Sequence, residues 1–390
     1  MSAQLFSRNP DLKRLRDEGY AVEICGGYLV LRDVPYVNSE GKVKTGVLIS
    51  SLTLAGDETR KPDTHKAYFD GELPYQADGN PIKAIVNSSK DFDLGCGLRA
   101  KHLFSSKPKE DYQDYYQKMT TYTSILAGHA RQIDPEVSPK TYRTDDSSSA
   151  PVHCYADTAT DRAGIGAYAD RLANERVAII GLGGTGSYIL DLVAKTCVSE
   201  IQLFDDDDFL SHNAFRAPGA PSIKELRGTP RKVDYLAEVY SKMHRNVVAH
   251  DTRITPENLH LLDDITFAFL AIDSGESKRV IVDKLESLGI DFVDAGMGLE
   301  ATESGITGIV RTTASVPDNR AEFRARVSFD SGGQDALYAS NVQVAELNAL
   351  NGVHAVLQWK KLRGFYCDLE NQLHSTYTVD GNLLVNGEAA

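Results

Sequence analysis

The amino-acid sequence predicts an α/β protein in which a doubly wound, mostly parallel sheet follows a smaller α+β domain. Three observations carry that prediction. A short apolar strand, Val177–Ile180, runs into the glycine-dense turn Gly181-Leu-Gly-Gly-Thr-Gly186 and then into a helical pattern. Strand and helix patterns alternate from there to Asp294, as expected for parallel strands covered by helices. The polar, small stretch Thr144–Pro151 has linker composition and sets the expected domains at 1–150 and 151–390.

The first domain opens with a short helix pattern at Pro10–Gly19. Tyr20–Cys25 and Tyr28–Arg32 read as strands around Gly26-Gly27, a two-residue hairpin signal, and Val43–Leu54 as another strand. Between Lys109 and Ile133 the residues Tyr112, Tyr115, Met119, Tyr122 and Leu126 recur at helical spacing. This stripe is read as a core face with its hydroxyls at the rim rather than as a stacking platform. His65, in a loop punctuated by Gly71 and Pro74, is read as structural.

In the second domain the expected strands are Arg176–Ile180, Glu200–Phe204, Val247–Asp251, Thr266–Ile272 and Asp291–Asp294. Helices are expected at 186–197, 231–243, 256–263 and 276–288. Such an arrangement places ligands outside the carboxyl ends of the strands. An added strand at Gly305–Thr312, a long helix at Ser340–Leu362 and a hairpin around Asp380-Gly381 complete the pattern.

Composition narrows the function classes. Of 390 residues 42% are hydrophobic and 25% charged, and the net charge is −13, which disfavours nucleic acid and anionic membranes as partners. No apolar run approaches the ~20 residues of a membrane span, and the N-terminus lacks the layout of a signal peptide. Five scattered cysteines (25, 96, 154, 197, 367) form no obvious disulfide framework or zinc pattern. The expectation is a reduced, cytoplasmic protein.

The chemistry concentrates in the second domain. Unpaired N–H groups and the positive end of a helix dipole point at the glycine turn, which suits a phosphate. Glycine at 181, 183 and 186 lets the backbone come close. Asp205 lies 24 residues after Gly181, at the end of the second strand, where a carboxylate can accept hydrogen bonds from ribose hydroxyls. The run Asp205–Asp208 continues from it. By strand alternation Asp206 and Asp208 are expected to face solvent, whereas Asp207 could help hold magnesium.

The set Gly-x-Gly-Gly-x-Gly at 181–186, Asp205-x-Asp207, Asn213-x-x-Arg216, Gly228-x-Pro230 with Lys232, and Asp273 after the fourth strand resembles the ubiquitin-activating superfamily and its ThiF/MoeB/HesA adenylyltransferase relatives. The resemblance covers roughly 160–310 and implies a Rossmann-like adenylation domain using ATP and magnesium. It implies that the ATP pocket is formed by Gly181, Gly183, Gly184, Gly186, Asp205, Asp207, Asn213, Arg216 and Lys232. Arg216 and Lys232 would bear on the triphosphate, Arg as a fork and Lys as a point charge, and Asp273 would associate with magnesium. Arg231 interrupts the family's Gly-x-Pro-Lys, so it competes with Lys232 as the phosphate-facing cation. A helical arginine before the first strand, matched by Arg162 and second by Arg171, would reach the partner subunit's ATP in a homodimer. The first 150 residues resemble an accessory domain of bacterial ubiquitin-like conjugation operons.

The implied activity is adenylation of the C-terminal carboxylate of a ubiquitin-like protein, with a conjugating-enzyme-like protein as a further partner. A sulfur-carrier adenylyltransferase is the nearest alternative; an NAD-dependent oxidoreductase and a noncatalytic nucleotide-binding module are the others. Residues 296–362 contain no cysteine to take over the acyl group. Cys367 and Cys197 read as packed. The choices are therefore release of the acyl-adenylate, a cysteine of the first domain such as Cys25 or Cys96, or a hydroxyl in Thr312-Thr-Ala-Ser315 as an oxyester.

Overall fold

The computed structural model describes residues 5–6, 8–95, 97–143, 152–155, 157–273, 275–327, 329 and 342–387, the side chains of residues 161 and 162 excepted. The expected linker at 144–151 lies outside these residues. The chain forms two compact units, Met1–Ile165 and Gly166–Ala390.

In the first unit a six-stranded antiparallel sheet runs in the order Val22–Cys25, Tyr28–Val37, Val43–Ser51, Lys66–Asp70, Leu98–Ser105, Val86–Gly95. Gly26 and Gly27 both have positive φ (56° and 82°), the requirement of the tight turn that joins its first two strands. Helices Pro10–Asp17 and Tyr115–Ile133 bury Leu12, Leu15, Tyr115, Met119, Tyr122 and Leu126 in one core with Leu31, Phe69 and Phe104. The tyrosine stripe is therefore core. Its hydroxyls bind loop backbone: Tyr115 Oη accepts from Thr53 N at 2.7 Å, and Tyr112 Oη donates to Ser106 O at 2.9 Å. His65 Nε2 lies 3.0 Å from Ser105 Oγ. Cys25 is disulfide-bonded, which corrects the reading of the cysteines as all reduced and removes it as a swinging nucleophile.

The second unit is built on an eight-stranded sheet in the order Val247–Asp251, Glu200–Asp205, Arg176–Ile180, Phe267–Leu270, Asp291–Thr302, Gly305–Ser315, His374–Thr378, Leu383–Asn386. The first five strands are parallel and the last three are added antiparallel. The strand order reverses at Arg176–Ile180, with Glu200–Asp205 on one side and Phe267–Leu270 on the other, so the crevice of a doubly wound sheet opens at its carboxyl end. Three expectations are corrected. Residues 256–263 hold only a 3-10 turn, Leu259–Leu262. The fifth strand runs on to Thr302, because Gly296 and Gly298 hide a ladder that pairs with Gly305–Ser315 along its whole length. The sixth likewise continues to Ser315.

The last helix, Ala345–Leu362, buries Leu347, Asn348, Asn351, Gly352, Ala355, Val356 and Trp359. It packs on the helix Gly184–Val193, and Gly352 is required there because a Cβ would meet Tyr188 Cβ at 2.9 Å. Its apolar face is thus intramolecular core. Among the described residues no helix is long and apolar enough to cross a membrane.

Candidate active site

The strand Arg176–Ile180 ends at Gly181, whose φ of +91° an L side chain would resist, and the helix Gly184–Val193 starts three residues later. The glycines do different work. A Cβ at Gly181 would overlap Ala271 O, one at Gly186 would overlap Gly181 O, and one at Gly184 would overlap the Asn348 carboxamide. Gly183 alone of the four has nothing within 4 Å of that position, and it lines a cavity of about 330 Å³. The loop is therefore shaped by packing at three glycines and left open to a ligand at one.

Asp205 anchors this loop. Its Oδ2 accepts from Leu182 N at 2.6 Å, and its Oδ1 accepts from Asp207 N at 3.0 Å and lies 3.3 Å from Lys232 Nζ. Both carboxylate oxygens thus already serve the protein. Asp207 O accepts from Lys232 N at 2.9 Å and Pro230 O from Phe209 N at 2.7 Å, which draws the start of helix Lys232–Ser241 to the acidic segment. Lys232, 5% exposed, then donates to Asp207 Oδ2 at 2.6 Å. That bond holds the Asp207 carboxyl below its ordinary pKa.

Of the two competing cations, Lys232 lines the cavity. Arg231 turns outward, donating to Asp251 Oδ1 at 2.8 Å and Asp208 Oδ1 at 2.9 Å. Arg216 lines the cavity with one nitrogen, Nε, buried and unpartnered. Burial pulls its guanidinium below the ordinary value, and the charges of Asp273 and Asp207 pull it back. Asp273 borders the same cavity.

Other expected residues sit elsewhere. Asn213 is 3% exposed and accepts from Leu210 N at 2.9 Å, capping the turn that delivers Arg216; it does not line the cavity, and neither does Gly186. Asp206 was expected to face solvent, yet it lines the cavity, 3.4 Å from Arg253. The strand ends at Asp205 and the chain turns there, so alternation no longer applies. Asp208 does point away, to Arg231.

Among the described residues the carboxylates close enough to share a metal ion are Asp205, Asp206 and Asp207. Asp273, the expected metal residue, stands apart from that group. Arg162 lies on the helix Thr158–Ala163 and its side chain is outside those described. Arg171 binds the carbonyl of Gly364 and lies over Tyr168.

No nucleophile joins the cavity from the expected segment. Thr312, Thr313 and Ser315 are at most 3% exposed, and the Thr313 hydroxyl bonds His374 Nδ1 at 2.9 Å, which counts against the oxyester reading. Cys197 donates to Ala169 O at 3.0 Å, and Cys367 is exposed rather than packed. Sequence reasoning missed Arg253, which carried no motif signal.

A model of the ThiF family matches residues 159–379, more than half of the chain. Residues 10–158 match a domain described as of unknown function, DUF6791. The tRNA threonylcarbamoyladenosine dehydratase of Escherichia coli (strain K12) is 25% identical over 169 residues, 41% of this chain and 60% of that protein. The chain therefore spans less than two thirds of that relative. Among solved structures, E. coli MccB with MccA-N7isoASN is 14% identical over 78% of this chain and 96% of its own, with a TM-score of 0.48. E. coli tRNA N6-threonylcarbamoyladenosine dehydratase, TcdA, in complex with AMP is 21% identical over 54% and 96%, with a TM-score of 0.40.

Proposed function

Because the chain belongs to the ThiF family, we propose that it uses ATP to adenylate the C-terminal carboxylate of a ubiquitin-like protein. The observation that carries this reading is the convergence of Lys232, Arg216 and Asp273 on one cavity with the open Gly183. In the reaction a carboxylate oxygen bonds to the α-phosphorus and the bond to the β-phosphate oxygen breaks, releasing pyrophosphate. Charge is the obstacle, because an anion must approach an anion. Lys232 and Arg216 lie where they would offset it, and the unpaired Nε of Arg216 is a donor awaiting an acceptor.

The cavity wall holds four carboxylates (Asp205, Asp206, Asp207, Asp273) against three cations (Arg216, Lys232, Arg253). A triphosphate therefore needs further positive charge. The all-oxygen donor set fits magnesium; Asp205, Asp206 and Asp207, which lie close enough together to share an ion, would hold it, and it would supply phosphate neutralisation. Arg162 from a second subunit would add to this in a homodimer.

A second reading draws on the relative whose name refers to tRNA. The net charge of −13 disfavours it. Exchange of labelled pyrophosphate into ATP tests both. Exchange dependent on a polypeptide with a flexible, glycine-terminated tail is the expected result, and exchange dependent on tRNA would favour the second reading. ATP binding without exchange in the presence of either would leave a noncatalytic nucleotide-binding module, and turnover linked to NADH would replace both.

A further inference from the structure

In a doubly wound sheet the ribose of a nucleotide falls at the carboxylate that ends the second strand. Two adjacent carboxylates line the cavity there, and they are not equally free. The Asp205 side chain is 8% exposed, and Leu182 N, Asp207 N and Lys232 Nζ already surround its two oxygens. The Asp206 side chain is 40% exposed, and among the described residues its carboxylate is bonded only by Arg253, at 3.4 Å. So long a bond leaves the acceptor capacity of both Asp206 oxygens nearly intact.

The place of Asp206 suits a ribose. Thr252, Arg253 and Ile254 follow the third strand, Val247–Asp251, in which Asp251 stands in register with Asp205. These residues line the cavity on the far side of the glycine loop from Asp273 in the strand order. The glycine loop takes phosphate, so the nucleoside lies toward the third strand, where Phe204 and Ile254 offer an apolar wall to the base. Asp206 is held at two points there, its carbonyl by Arg231 and its carboxylate by Arg253. Resting on the reading of this cavity as an ATP site, we propose that Asp206 accepts the ribose hydroxyls, the role expected of Asp205, with Arg253 as its positioning residue. A shared ion takes one oxygen from each of Asp205, Asp206 and Asp207, which leaves Asp206 the other for the ribose. Asp205 serves instead to hold the glycine loop through Leu182 N.

Calorimetric titration with ATP, 2′-deoxyATP and 3′-deoxyATP, each with magnesium and with EDTA, reads the contact. The unsubstituted protein should bind ATP about tenfold or more tightly than at least one deoxy analogue, as a hydrogen bond to a charged acceptor requires. In Asp206→Ala that preference should shrink to about twofold or less, under both metal conditions, because ATP weakens and the analogue does not. Should the alanine variant fail to fold, Asp206→Asn is read the same way, with a preference of about threefold. Arg253→Gln should reduce the preference by about threefold, and Arg253→Lys should restore it. A preference that survives in Asp206→Ala leaves the ribose with Asp205 and overturns the proposal. Equal weakening of all three nucleotides, or a loss confined to the magnesium titrations, overturns it too. ATP binding with this preference but without pyrophosphate exchange would defeat the adenylation reading and leave this one standing, whereas no ATP binding would defeat both.

Discussion

Both units bury charged and amide side chains, yet they use them differently. In the first unit Asp11, 8% exposed, accepts from Leu12 N at 2.9 Å, Thr59 Oγ1 at 2.9 Å and Tyr115 N at 3.1 Å. Asn9 beside it accepts from Thr59 N at 2.6 Å and donates to Leu5 O and Asp57 O. These groups tie the first helix, the segment around Thr59 and the start of the helix Tyr115–Ile133 into one piece. In the second unit Arg216 lines an open cavity and keeps a buried nitrogen without a partner. Burial of a polar group is thus no mark of a site by itself. What marks one is a buried donor left unpaired beside an empty volume.

The comparison breaks most sharply at Lys232. Lys232→Ala removes the cation and leaves Asp205 and Asp207 facing any phosphate. Pyrophosphate exchange should fall by about 10³-fold, measured at saturating polypeptide. A loss below tenfold would mean that Lys232 serves Asp205 and Asp207 and not the ligand.

The reciprocal change lies in the first unit. Asp11→Ala should cost about 3 kcal/mol of unfolding free energy, because it orphans two backbone N–H groups and the Thr59 hydroxyl. ATP affinity should not change. Chemical denaturation and ATP titration of the same variant check the pair of outcomes, and lost ATP affinity at preserved stability would contradict the assignment of these roles.

How much of this was legible in the sequence depends on the range of the physics involved. The glycine loop, Asp205 and the first four parallel strands are local patterns, and they emerged almost at their observed bounds. The cation choice between Arg231 and Lys232 is local too, since it follows from which residue opens the helix Lys232–Ser241. Asp206 misled because alternation was extended past the end of a strand. The long fifth strand was obscured by Gly296 and Gly298, whose side of the ladder is filled instead by the Arg311 guanidinium against Gly296. The strands Lys66–Asp70, Val86–Gly95 and Leu98–Ser105 went unseen among loop-forming residues. Arg253 left no trace at all. Its meaning comes from a contact 47 residues away in the chain, with Asp206.

A smaller effect separates the units by pH. Lys118 is fully buried in the first unit, with Ser50 Oγ 2.7 Å from Nζ, and burial brings its pKa down to about 8. The unfolded chain, with an ordinary lysine near ~10.4, then binds more protons than the folded one between about pH 8 and 10. Stability must therefore rise with pH across that window, by up to about 3 kcal/mol. Lys118→Met should flatten this rise, and denaturation midpoints at pH 7.5 and 10 would reveal it. A midpoint that falls over the same interval in the unsubstituted protein would show that Lys118 is charged and paired.

The smallest expected effect is the most exacting for the site. Arg231 is the immediate neighbour of Lys232, carries the same charge and stands closer to the end of the family's phosphate-binding motif. Its guanidinium nonetheless spans Asp208 and Asp251 on the outer side of the acidic segment. Surface pairs of this kind contribute little, so Arg231→Ala should alter pyrophosphate exchange by about threefold or less. Any residual loss should appear in the KM for ATP, because Arg231 also steadies the backbone carbonyl of Asp206, a residue of the cavity wall. If Arg231→Ala instead matched Lys232→Ala in depth, the inward cation would have been assigned to the wrong side chain. The cavity would then have to rearrange by one residue along the helix start before ATP could bind.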